Sequence, residues 1–507
     1  MKVHLLFSDR DADRTAAPPL GADDLIVDLD LEPVLQVMVP ERRLEKLPRA
    51  VLLSPLVEPD QIAWRQHVLA DAIADPEGVR ALFDLAGRAL ASRHSIWMYG
   101  GRTADSLLSR AIHGLRALLP LLRELSAFAA ERLPAARSQG LSGLYRRLVE
   151  ELDPAYLGQL ATLLSELQFP QGVVSRARLD ASGLVGSLEL VEPRGGRRPW
   201  RSVLGFGQHG RFRFTIADRD EAGARALSEL RDDAIHDVAA TAARANDHVV
   251  GFFHQLRWEA GFLVGCLNLH DALAEAGVGV CWPVPAASGT ALEASALSCL
   301  SLAVRSGAAP VPSDLPGPDL DLGIVTGANQ GGKTTFLRSV GCAQLLLQAG
   351  VFVPAASYTS GLSPAIHTHF RRAEDDDLTS GKLEEELVRM SGIVDRCRPG
   401  DLVLMNESFS STDEVEGSYI AGDIIDALVG HEVRVLAVTH FFRLARRYRD
   451  RPGTTFLMAE RRDDGTRSHR VLTGSPLATS HGMDIYDQVF GDEIAGRPPT
   501  RAHSERG

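Results

Sequence analysis

The feature that most constrains this chain is a glycine-rich stretch at residues 322–337, LGIVTGANQGGKTTFL. A short apolar run opens it and an amphipathic run, 336–347, follows, which predicts a strand, a phosphate-binding loop and a helix. The loop glycines permit the backbone angles and the close approach that let successive N–H groups surround a phosphate. In the pattern G-x-x-x-x-G-K-[ST], Lys333 reaches the β- and γ-phosphates and the Thr334 hydroxyl binds Mg²⁺. The stretch therefore predicts a site for ATP and Mg²⁺.

The composition supports this interpretation of the loop lysine. Of the 54 basic residues only four are lysines, Lys2, Lys46, Lys333 and Lys382. In a chain that uses arginine so consistently, a lysine here indicates a need for a compact ammonium group. The alternative is a glycine-rich turn without a ligand. The expected nucleotide contacts in this loop are Gly327, Ala328, Asn329, Gln330, Gly331, Gly332, Lys333, Thr334 and Thr335.

Length and charge bound the remaining interpretation. A chain of 507 residues can hold two or three domains with large cores. It has no apolar run of about eighteen residues and its N-terminus turns acidic too early for a signal peptide, so we expect a cytoplasmic protein without a membrane partner. The five cysteines form no CxxC pair, which favours reduced core thiols over a metal site. A net charge of −12 argues against a uniformly basic nucleic-acid-binding protein but allows a local basic face.

Changes of periodicity divide the chain into regions. Helical spacing begins near Pro59, and a long proline-free helical pattern at about 220–277 would span roughly 80 Å at helical rise. A further short helix is expected at 291–304. The predicted domains are a small N-terminal segment (1–57), a helical core and lever domain (58–300), an ATPase domain (301–496) and a disordered tail (497–507).

An arginine-rich insertion with a period of two, which predicts strands, interrupts the helical domain at about 172–216. No acidic residue occurs between Pro193 and Ala217. One interpretation is a tip that contacts DNA phosphates, which gives sequence-independent and salt-sensitive binding. The other is a solvated hairpin. The candidate DNA contacts are Arg194, Arg197, Arg198, Arg201, Arg211 and Arg213.

Strands that alternate with helices at 320–440 predict an α/β domain with a mostly parallel sheet and a nucleotide at its carboxyl edge. The apolar run 401–405 precedes Asn406 and Glu407, as in a strand that carries a metal-orienting residue and the general base for water. The expected metal-site residues are Thr334, Asn406 and Glu407. The alternative is an ordinary polar strand end.

A third apolar run, 433–438, precedes Thr439 and His440. We expect His440 to contact the γ-phosphate, although a histidine at a strand end is more often structural. The predicted catalytic residues are therefore Lys333, Glu407 and His440.

The polar loop 376–382 opens a helix predicted at 383–397. With Ser380 as its cap, this helix N-terminus can bind an anion. One interpretation is simply a capped helix. The other is that Ser380 and Gly381 complete the nucleotide site of a second subunit, so that ATP joins a dimer.

These residues together resemble the MutS family of DNA mismatch-repair ATPases, a branch of the ABC-type ATPases. Six segments match in order, and WRQHVL (64–69) and LRWEAGFLVGCLNL (256–269) extend a weaker likeness into the helical region. The six are TGANQGGKTTFLR (326–338), GVFVPA (350–355), DDLTSGKLEEEL (376–387), LVLMNESFSSTDEVEG (402–417), AVTHFFRL (437–444) and SHGMDIYDQVFG (480–491).

The resemblance implies an ABC-type P-loop ATPase domain after a helical core and lever. It implies a dimeric clamp, joined through the ATPase domains, that hydrolyses ATP and engages double-stranded or branched DNA by shape or non-specifically, in DNA repair or recombination. Two departures qualify it. The chain reaches its helical core near residue 58, which leaves no room for the family's mismatch-reading wedge and connector domains. Asn406 replaces the usual aspartate, which predicts weaker metal binding or slow turnover.

Two other functions are compatible with parts of the sequence. A nucleotide-binding switch or scaffold with little turnover could grip a protein partner, which Asn406 and the acidic net charge favour. A coiled-coil chromosome-maintenance ATPase is disfavoured because the helices lack sustained heptads.

Overall fold

The computed structural model describes residues 1–92, 103–169, 175–179, 185–190, 221–287, 289–315, 317, 320–328, 330–372, 381–462 and 466–475. The chain forms two compact units. The helical unit comprises Met1–His4, Arg80–Arg137 and Leu141–Arg257, and the sheet unit comprises Leu5–Val79, Ser138–Gly140 and Trp258–Gly507. The domain bounds predicted from the sequence stay a prediction.

The described residues form fourteen α-helices and twelve strands. The helices are α1 (Ala22–Asp28), α2 (Glu32–Met38), α3 (Lys46–Leu52), α4 (Pro59–Ala74), α5 (Pro76–Ala91), α6 (Ala104–Arg132), α7 (Gln139–Glu151), α8 (Pro154–Glu166), α9 (Glu221–Glu275), α10 (Leu300–Ser306), α11 (Lys333–Gln348), α12 (Lys382–Val394), α13 (Glu414–Gly430) and α14 (Phe442–Arg447), with a 3₁₀ turn at Arg42–Leu44. The strands are β1 (Ser175–Leu179), β2 (Val185–Leu190), β3 (Val284–Pro285), β4 (Leu292–Leu297), β5 (Ser313–Leu315), β6 (Leu322–Gly327), β7 (Ser357–Ser360), β8 (Ile366–Phe370), β9 (Leu402–Asn406), β10 (Arg434–Val438), β11 (Thr454–Arg461) and β12 (Arg467–Thr473).

The helical unit packs α6, α8 and the first part of α9 around one apolar cluster, which includes Leu108, Ile112, Leu164 and Ile235. The predicted long helix is confirmed, since α9 runs without a break for 55 residues. Strands β1 and β2 form an antiparallel pair within the predicted insertion. No helix in the described ranges is both long and apolar enough to cross a membrane.

The sheet unit contains a six-stranded sheet in the order β12-β11-β6-β10-β9-β8. All neighbours in it are parallel except β11 and β12, so the predicted mostly parallel sheet is confirmed. Every residue of β6, β8, β9 and β10 is buried, as expected for parallel strands covered on both faces. Helices α12, α13 and α14 pack on one apolar core with β6, β9 and β10. The chain is thus a helical region followed by an α/β region.

A second, four-stranded mixed sheet has the order β3-β7-β4-β5. Its strand β4 corrects the helix predicted at 291–304, because only α10 at the end of that stretch is helical. Leucines and alanines favour a helix locally, but β4 pairs with both β5 and β7, and these tertiary contacts override the propensity. Ala296 has a positive φ of 50°, at a bulge in the β4–β5 register.

The part of the N-terminal segment that belongs to the sheet unit, residues 5–57, packs closely on it. Helix α1 contacts the edge strand β8. The side chain of Glu259 on α9 is fully buried and accepts hydrogen bonds from the backbone N–H groups of Leu5 (2.7 Å), Leu6 (3.0 Å) and Ala12 (2.9 Å). Arg65 on α4, also buried, donates to the carbonyls of Leu6 and Ala349. These contacts attach the segment to α9 and to the end of α11.

Candidate nucleotide site

The predicted phosphate loop connects β6 to α11, so the predicted order of strand, loop and helix is confirmed. Gly327 and Gly332 have φ angles of 123° and 93°, which glycine adopts at little cost. A Cβ atom at Gly327 would lie 2.9 Å from the backbone nitrogen of Ala459, and one at Gly332 would lie 3.0 Å from the carbonyl oxygen of His469. The loop therefore lies against β11 and β12 at a distance that only glycine permits at these positions.

Lys333 is the first residue of α11 and only 5% exposed. Its Nζ donates to the carbonyl oxygens of Gly327 (3.0 Å) and Ala328 (3.1 Å), so the ammonium lies within the turn of the loop. Burial lowers the pKa of Lys333, and the negative charge of Glu407 acts in the opposite direction. An ammonium group inside a turn of backbone N–H groups is suited to binding an anion.

Thr334 and Asn406 link the loop helix to the end of β9. The Thr334 hydroxyl donates to Oδ1 of Asn406 at 3.0 Å. Hydroxyl and amide oxygens are hard ligands of the kind that Mg²⁺ takes in proteins. Thr334 directly follows Lys333, and Asn406 directly precedes Glu407. The two oxygens therefore fit a magnesium ion bound together with a nucleotide.

Glu407 and His440 follow the ends of two neighbouring parallel strands, β9 and β10. Glu407 is half-buried, and its φ of 51° lies in the left-handed region that non-glycine residues rarely adopt. Its N–H donates to the carbonyl of Val438 at 2.9 Å, which ties the two strand ends together. His440 is exposed, and its ring lies 4.6 Å from that of Phe441, centroid to centroid. Strained backbone of this kind recurs at functional sites.

Comparison with known proteins gives two family matches in chain order. Residues 57–276 match the model "MutS2 N-terminal domain", and residues 323–491 match the model "MutS domain V". The chain belongs to the MutS family. The second match contains the loop, Asn406, Glu407 and His440.

Individual relatives match over part of their length. An "Endonuclease MutS2" of Carboxydothermus hydrogenoformans is 36% identical over 137 residues, which is 27% of this chain and 18% of the relative. A second "Endonuclease MutS2", of Geobacillus kaustophilus, is 32% identical over 188 residues, 36% of this chain and 24% of the relative. A "DNA mismatch repair protein MutS" of Thermus thermophilus is 32% identical over 191 residues, 37% of this chain and 22% of the relative. The chain spans about a fifth of the length of the curated relatives it matches.

In this MutS-family chain several predicted site residues lie outside the described residues. They are Asn329, Ser380 and all six candidate DNA contacts, Arg194, Arg197, Arg198, Arg201, Arg211 and Arg213. The predicted helix after Ser380 is confirmed as α12, but its N-cap is Gly381, one residue later than predicted. Gly381 has extended backbone angles, and its carbonyl accepts from the N–H of Glu385 at 3.1 Å. Gln330 and Thr335 lie in the loop and in the first turn of α11.

A buried polar cluster beside Glu407 was missed in the sequence. Nδ1 of His369 on β8 lies 2.7 Å from the Ser408 hydroxyl, and its Nε2 lies 3.0 Å from the carbonyl oxygen of Glu386 on α12. The ring stacks on Phe409 at 5.4 Å, and burial lowers its pKa to about 4. A neutral ring that donates from Nε2 and accepts at Nδ1 satisfies both contacts. The cluster fixes the segment that follows Glu407, and its partners, 17 and 39 residues from His369, leave no local sequence signal.

A second cluster consists of the buried His367 and Asp401 and the half-buried Cys397, whose ligand atoms lie within 4.8 Å of one another. Asp401 accepts from the N–H groups of Ala365 (2.8 Å) and Arg398 (2.9 Å) as well as from His367 (3.1 Å). Because both carboxylate oxygens already bind backbone N–H groups, we interpret the cluster as a junction between β8 and β9.

Proposed function

We propose that this MutS-family chain hydrolyses ATP and couples hydrolysis to DNA binding. The observation that supports this best is the Thr334–Asn406 hydrogen bond beside the buried ammonium of Lys333. The sheet edge that holds this pair also carries Glu407, so it combines a cation, two neutral oxygen ligands and a carboxylate. Phosphoryl transfer needs this combination for binding phosphate, metal and attacking water.

Each residue has a distinct role in the proposed reaction. Lys333 exchanges its two carbonyl partners for the β- and γ-phosphates, and Thr334 and Asn406 hold the metal. Mg²⁺, when bound, neutralises part of the negative charge that develops on the phosphates. Glu407 accepts a proton from the attacking water, and His440 contacts the γ-phosphate. The proposed fold for this region is the ABC-type P-loop ATPase domain.

The proposed active form is a homodimer joined through the ATPase regions. Helices α12 and α13 expose large apolar side chains, of which Val388 (66%) and Tyr419 (68%) are the most exposed. Such side chains favour a protein interface over a solvated surface. In this dimer the start of α12, including Gly381, faces the nucleotide of the partner subunit.

DNA is the proposed partner because relatives carry the names "DNA mismatch repair protein" and "Endonuclease". We assign the contacts to the arginine-rich insertion and expect double-stranded or branched DNA to bind by shape or non-specifically, as phosphate contacts do. Binding should weaken steeply with salt and on joint replacement of Arg197, Arg198 and Arg201.

The deciding experiment is steady-state ATP hydrolysis with and without mismatched, branched and perfectly paired DNA, with Lys333→Ala as the blank. Hydrolysis that DNA alters and that Lys333→Ala removes would support the proposal and rank the DNA structures. A second candidate, a nucleotide-binding switch that grips a protein partner, is favoured by the uncharged Asn406 at the metal position. ATP binding without turnover and without any response to DNA would favour this second function.

A further inference from the structure

Helix α1 ends with an acidic residue, Asp28, at a position where a negative charge does not stabilise a helix. Asp28 is the last residue of α1, and a carboxylate at a helix C-terminus is opposed by the helix dipole. It is nevertheless only 3% exposed, and its Oδ2 accepts from the N–H of Phe370 at the end of β8 at 3.3 Å. Strand β8 is the edge of the six-stranded sheet, so this N–H has no strand partner on that side. The contacts of Asp28, rather than helix stability, account for its position.

The acidic residues of α1 bind Arg372, which precedes the polar loop predicted at 376–382, and Arg389, which follows it. Before it, Arg372 pairs with Asp24 of α1. After it, Arg389 on α12 lies with its NH2 group 3.7 Å from Oδ2 of Asp28, and its NH1 group donates to the carbonyl of Phe370 at 3.1 Å. One turn of α1 thereby joins the end of β8 to the helix that starts at Lys382.

The same turn also contacts the nucleotide edge. The carbonyl of Asp28 accepts from Nε of Arg338 on α11 at 2.8 Å. Arg371, next to Phe370, donates its N–H to the carbonyl of Asn406 at 3.0 Å. Burial raises the pKa of Asp28, while Thr368, Arg389 and Arg372 act in the opposite direction.

We propose that Asp24 and Asp28 are positioning residues that fix where this chain presents Gly381 and the start of α12 to the nucleotide of a second copy. The inference rests on the proposed dimeric ATPase. It assigns to α1 a role in the partner's reaction, although Asp28 precedes Gly327, the first predicted nucleotide contact, by 299 residues. A misplacement of about 1 Å in a reacting group costs on the order of 100-fold in rate.

The test compares Asp28→Asn and Asp24→Asn with Asp23→Asn. Asp23 lies on the same helix and pairs with Arg49. Because the Asp23 side chain is 93% exposed, its replacement controls for the change of charge alone. We expect kcat to fall about tenfold or more for Asp28→Asn and less for Asp24→Asn. Binding of a non-hydrolysable ATP analogue should stay within about twofold, because each subunit keeps its own phosphate loop. A loss of analogue binding that matches the loss of kcat would overturn the proposal.

A mixed dimer separates action in the partner's site from action in the same subunit. One subunit carries Asp28→Asn and the other carries Lys333→Ala, and the mixed species is isolated through two different affinity tags. In it the intact loop of the Asp28→Asn subunit faces the intact α1 and α12 of the Lys333→Ala subunit. We expect about half of wild-type activity, since one of two symmetric sites is complete. Activity no higher than that of either parent would show that α1 acts within its own subunit, and the proposal would be wrong.

Hydrogen exchange decides the matter if the proposed function itself fails. Absence of any wild-type hydrolysis that Lys333→Ala removes would reject the ATPase, not the role of α1 in positioning. In that case Asp28→Asn should speed backbone exchange at Phe370 and in the first turns of α12, while Asp23→Asn leaves both unchanged. Equal exchange in the two variants would overturn the positioning role.

Discussion

The phosphate loop and residues 5–57 of the sheet unit are held in place over very different distances along the chain. In the loop, Lys333 donates to carbonyls five and six residues away. In the N-terminal segment, Leu5, Leu6 and Ala12 bind Glu259 across 247 to 254 residues, and Asp28 binds Arg338 and Phe370 across 310 and 342 residues. The residues proposed to bind phosphate can therefore lie in one short stretch, while the hydrogen bonds that hold the sheet unit together join remote parts of the chain.

The largest expected effect falls on the chemistry and should leave the fold intact. In Glu407→Gln the amide cannot accept a proton from water, so we expect hydrolysis to fall by roughly 1,000-fold while ATP still binds. Single-turnover hydrolysis and analogue binding measure the two effects. Glu432→Gln is the matched control, because Glu432 is exposed and also has a positive φ, 59°. Normal turnover in Glu407→Gln would remove this residue as the base.

The next largest effect concerns the hydrogen bonds that hold the N-terminal segment on Glu259. Glu259→Ala leaves three buried N–H groups without their acceptor, and we expect the free energy of unfolding of the sheet unit to fall by about 3 kcal/mol or more. Urea denaturation measures this, with Glu275→Ala, exposed at the end of the same helix, as the control. If both variants unfold at the same urea concentration, the long-range contacts do not stabilise the unit as argued.

An intermediate effect concerns pH and the cluster around His369. The folded pKa is about 4 and the ordinary value is near 6.5, so the unfolded state takes up the proton first as the pH falls. The contribution of His369 to the free energy of unfolding is therefore fully present above about pH 6.5. It decreases towards pH 4 by up to about 1.4 kcal/mol per pH unit. We would measure the free energy of unfolding by denaturation at several pH values between about 4 and 6.5. It should change less with pH for His369→Gln than for wild type. His431→Gln, which changes an exposed histidine, should keep the wild-type slope.

The smallest effect concerns Asn406, which replaces the usual aspartate at the proposed metal site. Asn406→Asp keeps an oxygen for the Thr334 hydroxyl and adds a negative charge, so we expect Mg²⁺ to saturate hydrolysis at a concentration about tenfold lower. A magnesium titration of the ATPase rate measures this, and nucleotide binding without metal serves as the control. An unchanged titration would mean that residue 406 does not contact the ion.

The sequence distance between a residue and its partners also decides what could be predicted from sequence. Lys333 and Thr334 were identifiable because glycine spacing and a buried strand constrain one contiguous stretch, and Asn406, Glu407 and His440 because each follows an apolar run. His369 and Asp28 could not be found, since their partners come together only when β8, α12 and α1 pack. Strand β4 was mistaken for a helix for the same reason: its leucines and alanines suit a helix until β5 and β7 pair with it.

The remote partners of the N-terminal segment also have a consequence in time. Leu5 and Asp28 are synthesised well before their partners, because Glu259 follows Leu5 by 254 residues, and Arg338 and Phe370 follow Asp28 by 310 and 342 residues. At elongation rates of about 5 to 20 residues per second, these intervals are roughly 13 to 70 s. During synthesis the segment must therefore wait, with its apolar side chains uncovered, for the elements on which it packs. The N-terminal part of the sheet unit is therefore made long before the residues that bind it.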